Sequence, residues 1–112
     1  MIQDLNTIQE YEHILAESQI RPVLLLKHST RCPISASAWR EFQSLAEREK
    51  RAAFYRILVV ENRSLSLHIA DSTGVRHESP QVFLFRHGHV SWHASHWAIT
   101  AQSMAGALDT TL

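Results

Sequence analysis

The chain has 112 residues, 45% of them hydrophobic, and its eleven Lys and Arg balance eleven Asp and Glu. A chain of this length forms one domain over residues 1–112, with no room for a second, and buries roughly two thirds of its unfolded surface, so it needs neither a disulfide nor a structural metal to fold. Balanced charge without long runs excludes long-range attraction to nucleic acid or to an anionic membrane as its organising feature.

The first residues, Met1-Ile2-Gln3-Asp4-Leu5-Asn6, carry neither a basic region nor an apolar stretch of signal-peptide length. No segment approaches the ~18 apolar residues of a membrane-spanning helix, and the expectation is a soluble cytoplasmic protein. Thr7 with Glu10 fits a capping box, and Ile8, Tyr11, Ile14 and Leu15 follow at helical spacing, which predicts a first amphipathic helix from about Thr7 to Ser18. Pro22 then opens the apolar run Val23 to Leu26, continuous in the manner of a central strand covered on both faces. After a turn, Trp39, Phe42, Leu45 and Ala46 form the apolar stripe of a second helix ending near Arg51, with Trp39 and Phe42 read as core and Trp39 near enough to the turn to line a groove.

Phe54, Tyr55 and the run Ile57 to Val60 repeat the buried-strand pattern, and Leu65 to Ala70 predict a short helix closed by Gly74. Beyond Ser79-Pro80, Val82 to Phe85 reads as a strand, Arg86-His87-Gly88-His89 as a turn, and Val90 to His93 as the return strand of a hairpin. A last helix spans Ile99 to Leu108 and starts between Ala98 and Thr100. The order α, β, α, β, α, β, β, α predicts an α/β fold, parallel through right-handed crossovers with an antiparallel hairpin at one edge.

Cys32 is the only cysteine. It cannot form an intramolecular disulfide, and a reducing compartment suits a free thiol. It lies where the first central strand gives way through Ser29-Thr30-Arg31 to Cys32-Pro33-Ile34-Ser35 and the second helix. With Pro33 as the first helical residue, Cys32 becomes the N-cap, and its sulfur faces the Ile34 and Ser35 amides at the positive end of the helix. Those donors and the Ser35 hydroxyl favour the thiolate, with positive potential added by Arg31 and His28. Such a thiolate attacks mixed disulfides. Ser35 stands where a two-cysteine enzyme keeps its resolving cysteine, so a second, external thiol must release Cys32.

This junction, with Ser79-Pro80 ahead of a hairpin, resembles the thioredoxin superfamily. More narrowly, Lys27-His28-Ser29-Thr30-Arg31-Cys32-Pro33-Ile34-Ser35 resembles the active-site segment of the monothiol bacilliredoxins, departing from it at Arg31, where that family often has Thr. The resemblance implies a thioredoxin-like central mixed sheet of about four to five strands with helices on both faces. It implies an enzyme that removes a low-molecular-weight thiol, bacillithiol, from S-thiolated client proteins during stress, with no bound cofactor. It further implies a cis Pro80 facing Cys32, with Ser79 offering its backbone to an extended substrate and Thr30 and Pro33 flanking the same contact.

Two other readings use the same residues. His87, His89, His93 and His96 lie close together and, with Cys32, can be read as a zinc or copper site, although Gly88 disrupts the two-residue period that would align them. The fold also serves as a redox sensor or binding module in which a modified cysteine alters a partner surface without turnover.

Overall fold

The computed structural model describes residues 1–110, so the last two positions of the single domain expected over 1–112 lie outside the described residues. In chain order the elements are β1 (Ile2–Asp4), α1 (Ile8–Glu17), β2 (Val23–His28), α2 (Pro33–Arg48), β3 (Ala53–Leu58), α3 (Arg63–Thr73), β4 (Gln81–Arg86), β5 (His89–Ser95), a 3-10 turn (His96–Ala98) and α4 (Ala101–Thr110).

Local chemistry sets several of these boundaries. At the start of α1 the Glu10 amide donates to Thr7 Oγ1 and the Thr7 amide donates to Glu10 Oε1, both at 3.1 Å, which completes the capping box. Gly74, at φ 72°, closes α3 in the left-handed conformation that an L side chain resists. His87 and Gly88 both have positive φ, 56° and 79°, the twist that suits a two-residue hairpin turn between right-twisted strands.

The five strands form one sheet in the order β1-β3-β2-β4-β5. β1 and β2 run parallel to β3, β4 is antiparallel to β2, and β5 is antiparallel to β4. Every residue of β2 is buried, because β2 is central and both its faces are covered. Leu24 and Leu26 pack with Phe42 and Leu45 of α2 and Met104 and Leu108 of α4. Val23 and Leu25 point the other way, against Tyr11 and Ile14 of α1 and Leu65 and Ile69 of α3. The period of two along one strand therefore builds two cores, one per face.

Three expectations are corrected. The structure adds β1, an edge strand of three residues whose Ile2 pairs with Phe54. α2 stops at Arg48 rather than near Arg51, where the Glu49 carboxylate accepts from the Arg51 amide and guanidinium at 2.8–2.9 Å and turns the chain. β3 ends at Leu58, leaving Val60 52% exposed and outside the strand. α3 ends at Gly74 as expected, and in its last turn the Thr73 hydroxyl donates to the Ile69 carbonyl at 2.7 Å. Among the described residues no helix is long and apolar enough to cross a membrane.

Candidate active site

The exit of β2 and the start of α2 together position Cys32. It is the N-cap of α2, with extended φ −116° and ψ 124°, Pro33 is the first helical residue, and the Cys32 carbonyl accepts from the Ala36 amide at 3.1 Å. Pro33 fits because the N–H it lacks has no partner in a first helical turn. Ser35 is fully buried and its Oγ accepts from the Ser29 amide at 3.3 Å, which ties the loop after β2 to the helix. The Ser35 hydroxyl hydrogen is thereby left for another acceptor.

The partly exposed sulfur makes no side-chain capping hydrogen bond to the helix amides. It still feels them. The Ser35 amide lowers the Cys32 thiol below its ordinary value, against the opposing effect of partial burial, and the Ile34 amide and Ser35 hydroxyl add to it. A thiol depressed in the folded state favours folding above the pKa of the unfolded thiol, and that contribution is lost as pH falls through the folded value. The pH profile of iodoacetamide alkylation should therefore have its midpoint below that of free cysteine. In Ser35→Ala the midpoint should move up without reaching the free value, since both amides remain; an unmoved midpoint would remove the hydroxyl from the account.

The other expected residues fall into two groups. Arg31 is exposed, its amide donates to Ser29 Oγ at 3.3 Å, and it is not among the groups that shift the Cys32 thiol. His28 requires a correction. It is 5% exposed, and burial followed by the Arg56 charge holds its imidazole below the ordinary value, so near neutral pH it is uncharged and supplies no positive potential to the sulfur. Its ring lies 5.5 Å from Trp39, which stacks on Phe42 at 6.3 Å and carries the Arg56 guanidinium 4.4 Å from its own ring centre. Phe42 is core, while Trp39 is half-buried and lines an open cleft of about 610 Å³ beside β1, along with Gln43, Glu47 and Arg56.

The peptide bond between Ser79 and Pro80 is cis. Because Gln81 pairs with Lys27, the register puts Ser79 and Pro80 at the sheet end where β2 delivers Cys32. The Pro80 carbonyl accepts from the His96 amide at 3.0 Å, whereas Ser79 lies just outside the ladder and its buried Oγ has no partner. Thr30 and Pro33 are exposed on either side of Cys32.

The histidines do not assemble. His87 occupies the hairpin turn, His89 and His93 are exposed on β5, and His96 approaches Glu78 at 3.6 Å. Among the described residues no three His, Cys, Asp or Glu side chains gather as a metal site, so the rival metal reading finds no geometry. Sequence reasoning missed Lys27, which is fully buried with Nζ 3.0 Å from both the Ser66 carbonyl and His77 Nδ1. The available signal was its place in the run Val23–His28: in a strand covered on both faces, the residue two beyond Leu25 has nowhere exposed to go.

The model of the family described as monothiol bacilliredoxin BrxC matches residues 3–104. Among solved structures, one provisionally described as an oxidoreductase with a thioredoxin fold aligns at 39% identity and a TM-score of 0.85, over 95% of this chain and 92% of that one. Thioredoxin from Fasciola hepatica aligns at 14% identity and a TM-score of 0.79, over 98% and 99% of the two chains. A variant thioredoxin from Halobacterium salinarum aligns at 19% identity and a TM-score of 0.77, over 98% and 89%. At such identities the two thioredoxins share the fold alone with this chain.

Proposed function

The chain belongs to the monothiol bacilliredoxin family, whose members are thiol redox proteins of thioredoxin fold, and on that premise we propose that it removes bacillithiol from mixed disulfides on client proteins in a reducing, cytoplasmic setting. The observation that carries this reading is Cys32 at the N-cap of α2, its thiol lowered by the Ser35 and Ile34 amides, with a serine at the resolving position.

The cycle follows from those groups. The Cys32 thiolate attacks the bacillithiol sulfur of the client's mixed disulfide, and the client thiolate leaves and takes up a proton. A new disulfide then joins Cys32 to bacillithiol. A second thiolate from solution attacks the bacillithiol sulfur of that adduct, forming a disulfide between the two small thiols and releasing the Cys32 thiolate. Cys32 undergoes no net oxidation: the disulfide bond passes from the client to Cys32 and then to the pair of small thiols, with the incoming thiol as reductant. Ser79, just outside the ladder and next to a cis proline, supports a role as backbone platform for an extended client segment, with Thr30 and Pro33 exposed on either side of Cys32.

The test is to incubate the protein with one target blocked by bacillithiol and the same target blocked by glutathione, and to weigh both partners by intact-mass spectrometry. Transfer of the bacillithiol adduct to Cys32, with little transfer of glutathione, is the expected result; no transfer of either refutes the reading. A companion variant checks the geometry. Ser35→Cys should form an internal disulfide with Cys32 under mild oxidant, seen as the loss of two hydrogens and of all alkylatable thiol. Two thiols persisting after oxidation would mean that position 35 does not face the sulfur.

A further inference from the structure

The sheet end that carries Cys32 has a second feature on its opposite face. Lys27 is 0% exposed. Its Nζ donates to the Ser66 carbonyl and to His77 Nδ1 and lies 5.5 Å from the Phe83 ring centre. All three partners are neutral, and no carboxylate among the described residues forms an ion pair with it. Burial pulls this ammonium down to about 8, so it is still charged near neutral pH. A buried cation without a counter-ion opposes folding, and an apolar residue of similar volume would fill the same space at lower free energy.

A cleft of about 160 Å³ lies next to it, lined by Val59, Val60, Arg63, Ser66, Leu67 and His77. Three of its lining residues, Arg63, Ser66 and His77, carry side-chain donors. Ser66 is 1% exposed and its Oγ has no partner. The Lys27 ammonium can only donate, so His77 Nδ1 must accept and the ring hydrogen sits on Nε2. Burial, then the Lys27 and Arg63 charges, hold the His77 imidazole below its ordinary value, which places Arg63 in the same positive field. Arg63 is the first residue of α3, whose N-cap Asn62 makes no side-chain capping bond, so the positive end of that helix adds to it. The adjoining acid, Glu78, is directed toward His96.

We propose that this cleft binds a carboxylate of the small thiol that Cys32 removes from client proteins. The proposal rests on the exchange reading above and names the group by which that thiol is recognised. The Val59 amide donates to the His28 carbonyl at 2.9 Å, so the exits of β3 and β2 are neighbours, about 5 Å apart across one strand spacing. A thiol of tripeptide size spans about 10 Å, about twice that strand spacing, and mercaptoethanol is far shorter and carries no carboxylate. The anion binds against Arg63, Ser66 and the His77 Nε2–H, which hold it by charge-assisted hydrogen bonds, and the Lys27 charge behind Ser66 and His77 adds to the attraction without touching it.

The test compares one client protein blocked by bacillithiol, which bears carboxylates, with the same protein blocked by 2-mercaptoethanol, which has none. The readout is the ratio of kcat/KM for the two adducts. Arg63 is exposed, so Arg63→Ala should fold normally, and it should lower the ratio about tenfold through a raised KM for the bacillithiol adduct, as expected for losing one charge-assisted hydrogen bond. Arg63→Lys should restore part of it. Lys27→Met should lower the ratio likewise while its melting temperature stays level or rises, because an unpaired buried charge has been removed. A ratio unchanged in both Arg63→Ala and Lys27→Met overturns the carboxylate site and leaves the exchange chemistry standing. A wild-type protein that strips neither adduct overturns the exchange reading, and the site with it.

Discussion

Cys32→Ser should lose exchange activity by at least about a thousandfold, because a serine hydroxyl neither ionises at neutral pH nor attacks a disulfide sulfur usefully. No other cysteine exists to substitute for it. The fold should survive intact. Cys32 is partly exposed and makes no capping bond, whereas serine is among the preferred N-cap residues, so the variant should be as stable as the parent or more stable by about 0.5–1 kcal/mol. Intact-mass spectrometry of a thiol-blocked client and a thermal melt read the two outcomes side by side. Retained exchange would place the chemistry elsewhere, and a large drop in melting temperature would mean that Cys32 is a packing residue.

The largest effect on stability is expected at Phe42. Its side chain is fully buried, meets Phe54 edge-to-face at 5.3 Å, stacks on Trp39 and holds α2 against β2 and β3. Phe42→Ala should cost about 3–5 kcal/mol, from lost transfer free energy together with the cavity left behind. Domains of this size are stable by about 5–15 kcal/mol, so the loss takes a large share of the total. At roughly 4 °C per kcal/mol the melting temperature should fall by about 12–20 °C. Phe42→Leu keeps most of the volume and should cost less than half as much. A cost below about 1 kcal/mol for the alanine variant, measured by denaturant titration, would show that α2 is anchored by other contacts.

What could be read without coordinates was local. The capping box at Thr7 and Glu10, the apolar run Val23 to Leu26, the stripe Trp39, Phe42, Leu45 and Ala46, and the turn at His87-Gly88 each arise from neighbours within a few positions, and each appears in the structure where its pattern places it. Cys32-Pro33 belongs with them, because an N-cap and a first-turn proline are defined by their immediate surroundings. The cis bond before Pro80 was implied by family resemblance and by nothing in the composition of Ser79-Pro80.

The remainder depended on which distant segments meet. β1 is three residues long with one apolar side chain, and it becomes a strand only because β3 offers an open edge. The charge states of His28 and Lys27 were likewise invisible. An imidazole and an ammonium follow the dielectric and the charges packed around them, and those come from Arg56 on β3, Ser66 on α3 and His77 ahead of β4. The amino-acid sequence alone thus determined where the helices and central strands lie and where the thiol emerges, since periodicity and capping act over a few residues. Tertiary structure alone decided which polar groups are buried, which stay charged and which are left without a partner, because solvation and Coulomb interactions are set by atoms close in space and far apart along the chain.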